Sequence, residues 1–159
     1  MRSSTDHPPR LGTLALAALL ALASGGCSGS GPELQIRDQR SDRVYVARPA
    51  VDGERVTLAW NHSIELTPWT ETYEVRGEDL VLVEVTMESY GAGAPADTEG
   101  TTTVRDGVIH ITGLERPLDA VRWVHSHDTE HTVSIDGATV VEPADIPHRS
   151  FAEIVVNGD

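Results

Sequence analysis

From Arg43 onward, short runs rich in Val, Ile, Thr and aromatic residues alternate with turn-forming Gly, Pro, Asp and Asn, and a turn signal falls about every eight to twelve positions. No segment of this region carries the 3.6-residue apolar period of a helix. Short strands of this kind bury their apolar faces in two stacked sheets or in a barrel. The expectation is an all-β antiparallel two-sheet sandwich, immunoglobulin-like, with about eight to ten strands. Strands are read near RVYVARP, ERVTLAWNHSI, WTETYEVR, DLVLVEVTMES, TTTVR, VIHITG, AVRWVHSH, HTVSI, ATVVE and FAEIVV.

Two connections fix local register. Asp106-Gly107 and Asp136-Gly137 each lie between alternating runs and suit two-residue type I′ turns. The first predicts Arg105 opposite Val108, Val104 opposite Ile109 and Thr103 opposite His110. The second predicts Ile135 opposite Ala138, Val133 opposite Val140 and His131 opposite Glu142.

The first 26 residues are expected to be removed. Arg2 and Arg10 precede an apolar run over residues 11–23, and small residues lead to Cys27, which is the pattern of an export signal. Thirteen residues at about 1.5 Å each fall short of a hydrocarbon core of about 30 Å. Cys27, the one cysteine in the chain, occupies the lipidation position of a bacterial lipoprotein, although Ser24 stands three residues before it where Leu is usual. Residues 27–32, CSGSGP, read as a Gly/Ser tether, and 33–159 as a single β-sandwich domain. Two or more acyl chains would hold such a protein to the extracytoplasmic face of a membrane.

Charge narrows the partners. The chain is at −13, and its first 26 residues hold Arg2, Arg10 and Asp6, so residues 27–159 are at −14. This argues against nucleic acid or an anionic bilayer as the main partner.

Candidate functional residues are polar groups on apolar faces. In WNHSIELTPWTETYEV, Val56, Leu58, Trp60, His62 and Ile64 share one strand face, and Trp69, Glu71, Tyr73 and Val75 share another. A hairpin over ELTP would set Ile64 opposite Trp69 and His62 opposite Glu71, and a crossing between sheets would still aim both ionisable groups inward. A buried base and acid satisfy each other at less cost than either does alone, so the two are expected to pair, as a structural strut or as an acid/base couple in a cleft. Ser63 faces away from His62 on an ideal strand, which disfavours a hydrolytic triad. In WVHSHDTEH, His125 and His127 project to one side and His131 comes four residues later, a spacing open to zinc. The Gly91 and Gly93 loop beside Tyr90 is either a tight bend or an anion-binding nest.

The HSIE stretch at residues 62–65, the Trp69 and Glu71 pair, and the GAG loop at 91–93 together resemble the bacterial family catalogued as domain of unknown function 1850. The likeness covers about residues 56–141. It implies an extracytoplasmic protein associated with TAXI-type TRAP transporters and names no reaction. The functional expectation is therefore a membrane-tethered, non-enzymatic accessory or binding module, with TRAP transporter components as partners. Its ligand-binding or structural polar cluster would comprise His62, Ser63, Glu65, Trp69, Glu71, Tyr90, Gly91 and Gly93. The alternatives are a metal or small-ligand site at His125, His127 and His131, or a hydrolase using His62 and Glu71.

Overall fold

Apolar side chains at alternate positions build two antiparallel sheets packed face to face. The computed structural model describes residues 31–89 and 100–158. Cys27, the export segment and the Tyr90, Gly91 and Gly93 loop lie outside the described residues.

In chain order the strands are β1 (Glu33–Asp38), β2 (Val44–Pro49), β3 (Arg55–Asn61), β4 (Pro68–Arg76), β5 (Asp79–Met87), β6 (Thr101–Arg105), β7 (Val108–Leu118), β8 (Ala120–Val124), β9 (Thr132–Ile135), β10 (Ala138–Val141) and β11 (Phe151–Asn157). The small sheet runs β2-β1-β11-β8 and the large one β10-β9-β3-β4-β5-β7-β6. This is the all-β two-sheet sandwich expected, with eleven strands among the described residues. The strand not foreseen is β1, ELQIRD. It turns only Leu34 and Ile36 into the core, both fully buried, between outward polar residues.

The core lies between the sheets. Leu34, Ile36, Val121, Ala152, Ile154 and Val156 of the small sheet face Val56, Leu58, Tyr73, Val75, Leu80 and Ile111 of the large one. β5 reads LVLV where a one-sided strand should alternate. The pairing explains it: Thr72 faces Glu84 and Tyr73 faces Leu82, leaving Val83 as an extra residue. The bulge moves the inward row from Leu80 and Leu82 to Val85 and Met87. On the outer face of the small sheet, Arg37 and Arg122 reach Glu153 at 2.8 and 3.0 Å from the strands on either side. These flanking guanidiniums leave that carboxylate only 7% exposed.

Both Asp-Gly turns form with positive φ at each central residue: 52° and 85° at Asp106 and Gly107, 47° and 82° at Asp136 and Gly137. Arg105, Val104 and Thr103 meet Val108, Ile109 and His110 as predicted. In the second hairpin Ile135 meets Ala138, but Val133 meets Val141 instead of Val140 because the register shifts between Thr139 and Val141. That shift takes Glu142 away from the position opposite His131. A Cβ at Gly137 would meet nothing within 4 Å, so substitution there tests backbone strain alone. Gly137→Ala is expected to lower the unfolding free energy by about 1 kcal/mol, read by urea denaturation, with the folded spectrum unchanged.

Candidate functional site

Trp60 and Trp69 stand directly opposite each other on β3 and β4. Their rings are 5.8 Å apart and stacked, and the His131 ring stacks on Trp60 at 5.9 Å. Three neighbouring strand ends therefore carry a ladder of rings across the inner side of the large sheet. The small sheet contributes Trp123 and Val124 from β8. Between them opens a cleft of about 530 Å³ lined by Trp60, His62, Ser63, Trp69, Glu71, Val124, Ser126, Thr129 and His131. A second chamber of about 410 Å³ continues from it and shares Trp60, Glu71 and His131, with Trp123, Tyr73 and Arg122 among its other walls. The three tryptophans of the chain all line this one groove.

Glu71 stands where the two chambers meet. Trp69 Nε1–H donates to one carboxylate oxygen at 3.3 Å, and the Tyr73 hydroxyl donates to the other in a short bond. Residues i and i+2 of a strand share a face, so three consecutive inward positions of β4 form this set by themselves. Burial, and then the Glu71 charge, push the Tyr73 hydroxyl pKa far up, which keeps it a donor.

The expected pairing of His62 with Glu71 is corrected by the register. Trp69 faces Trp60 and Glu71 faces Leu58, a displacement of four positions from the ELTP hairpin. Residues 62–67 form a wider turn, in which the His62 amide donates to the Thr67 carbonyl and the Leu66 amide to the His62 carbonyl, both at 2.8 Å. His62 thus lies beyond the end of β3, half-buried, and its ring is 5.9 Å from that of Trp69. Its Nδ1 accepts the Ile64 and Glu65 amides at 3.4 and 3.3 Å. Ile64, expected on the inward row, is 70% exposed at the turn. Ser63 lines the cleft, while Glu65 is exposed.

The three histidines read as a zinc set do come together, with His125 5.7 Å from His127 and 5.6 Å from His131 between ring centres. At least one nitrogen of each ring is committed elsewhere. Trp123 Nε1–H donates to His125 Nδ1 at 3.4 Å, so the ring proton is on Nε2 and bonds the Pro143 carbonyl at 2.9 Å. His127 Nε2 bonds the Ile146 carbonyl at 2.9 Å, and His131 Nδ1 accepts the Ser126 amide at 3.2 Å. Among the described residues no group of three or more His, Cys, Asp or Glu is placed to hold a metal ion. The zinc reading is corrected accordingly: the His125 and His127 rings fasten the connection between β10 and β11 onto the end of β8, and His131 ties together the connection between β8 and β9. Burial lowers the pKa of His125 and of His131, and both remain neutral at pH 7.

Trp60, Trp123, Ser126 and Thr129 were not singled out as site residues from sequence. The signal that could have found the two tryptophans was the placement of every tryptophan near a strand end in a chain that is only 4% aromatic; Ser126 and Thr129 carried none.

Comparison with known proteins gives one family. The family model described as "Domain of unknown function (DUF1850)" matches residues 56–141, more than half of the chain and every described residue that lines the cleft. No curated protein and no solved structure matches.

Proposed function

The chain belongs to the DUF1850 family, and from that premise we propose an exported, non-enzymatic binding module that takes a small ligand in the cleft between its sheets. Held by a lipid anchor at Cys27, it would serve as an accessory to a TAXI-type TRAP importer. The observation that carries the reading is the groove itself. An open concavity of about 530 Å³ with aromatic walls and a few convergent polar groups has the size and composition of a small-molecule site.

Binding is favoured over hydrolysis by the geometry of His62. A relay needs one imidazole nitrogen to donate to an orienting carboxylate and the other to accept from the nucleophile. His62 Nδ1 already accepts from two turn amides. With Nδ1 an acceptor, the ring cannot both donate to a carboxylate and accept from a nucleophile. Glu71, meanwhile, is engaged by Trp69 and Tyr73.

The link to the importer rests on the resemblance and on the export pattern of residues 1–27. Two measurements test the two halves. Each tryptophan lines the groove, so small solutes that enter it are expected to shift the protein's intrinsic fluorescence; a broad solute panel that leaves the emission unchanged refutes the ligand site. Cross-linking in native membranes is expected to recover importer subunits or their solute receptor with this protein, and recovery of neither refutes the accessory role.

A further inference from the structure

Resting on the binding reading above, we infer that the cleft selects a small organic amine, with its ammonium group on Glu71 and its apolar body against the indoles.

Charge carries this choice. Among the described residues Glu71 is the one of formal charge lining the outer chamber, where the other polar groups are hydroxyls and imidazoles. Arg122 borders only the inner chamber, and its guanidinium is drawn to Glu153 at 3.0 Å and Asp119 at 3.2 Å. His131, kept neutral by burial, adds no positive charge to either chamber. Among the described residues no arginine forms an ion pair with Glu71. In the outer chamber an anionic ligand would meet this carboxylate with no arginine among the described lining residues to offset it, whereas an ammonium would supply the countercharge.

Hydrogen-bond capacity leads to the same class. A carboxylate offers about four lone-pair sites. Trp69 and Tyr73 use one on each oxygen and hold the group in place. The remaining sites can accept only from a donor, and an ammonium N–H gives the stronger, charge-assisted bond. Trp60 is already stacked by Trp69 and by His131, so recognition of the charge falls to Glu71 while the rings contact the hydrocarbon. The net charge of −13 on the chain draws cations toward the protein and repels anions.

The test uses the full protein and a matched set of three probes: isopentylamine, isopentanol and 4-methylpentanoate. Binding is followed at the three indole N–H signals by heteronuclear NMR. The amine is expected to bind at least about tenfold more tightly than the alcohol, with the carboxylate weakest. In Glu71→Gln, which keeps an acceptor for Tyr73 or Trp69, amine and alcohol should become equal to within about twofold. The comparison in the unaltered protein stands by itself if the variant does not fold. Equal or tighter binding of alcohol or carboxylate overturns the amine inference and leaves the ligand site intact. Indole signals unmoved by all three probes overturn the amine inference, and the solute panel then decides the site separately.

Discussion

A fragment ending at Val141, where the family match ends, is expected to be unfolded. It lacks β11, which lies between β1 and β8 in the small sheet and pairs with both along its length. Without β11, β8 has no neighbour in its sheet, and β1 keeps only β2. The loss is also apolar: Ala152 and Ile154 are fully buried, and Val155 and Val156 are 5% and 6% exposed. Burial of one such aliphatic side chain contributes about 1.5–3 kcal/mol, and a domain of this size is stable by only about 5–15 kcal/mol. The single substitution Ile154→Ala should itself cost about 2–5 kcal/mol. The check is circular dichroism with urea titration of residues 33–141 beside the whole chain. A cooperative transition in the fragment would show that the large sheet stands alone and that the small sheet is an accessory.

The second large effect is loss of stability in mild acid. His125 is fully buried and His131 is 8% exposed, and desolvation lowers both pKa values below the ordinary 6.5. The neighbours of the His125 ring are His127 and His131, with His148 beyond, so further protonation in this cluster opposes its own. A depressed histidine pKa means that the unfolded chain takes up protons first as pH falls. The stabilisation is therefore complete above about 6.5 and is lost progressively as pH drops toward the folded-state values. Within that window unfolding should take up protons, at most two from this pair, and the urea midpoint should fall between pH 7.5 and 5.5, before most carboxylates titrate. His131→Gln should flatten the dependence by removing one of the two groups. A midpoint that does not move over this range would show that the cluster accepts protons without strain.

How much could be read from residues alone depended on what fixes each feature. The Asp106-Gly107 turn admits one tight geometry, so the register beyond it came from counting. The turn at residues 62–67 has six residues and no such constraint, and the counted register missed by four. Because four is even, the side chains within the paired strands stayed on their faces, which is why Trp69, Glu71 and Tyr73 were correctly placed inward although their partners were not, while Ile64 fell beyond the pairing. β1 escaped notice because two apolar residues among charges make a weak pattern until β11 supplies the other half of the pairing. Several lining residues were legible, but not that they bound one cleft. Trp123 approaches Trp60 only because β8 joins the sheet opposite β3, and that is a fact of strand order. The histidine spacing did announce a cluster, but its chemistry is set by the Pro143 and Ile146 carbonyls, which carry no side-chain signature.

The antiparallel register of β1 with β11 also bears on orientation. Glu33 lies beside Asn157, Asp38 beside Ala152, and Phe151 beside Val124. Six residues at about 3.3 Å each separate the start of β1 from its far end, so the polypeptide enters the domain at the pole about 20 Å from Val124 and the mouth of the groove. A protein fastened through a short leading tether would therefore be held by its base, at the pole opposite the rim by which solutes would arrive.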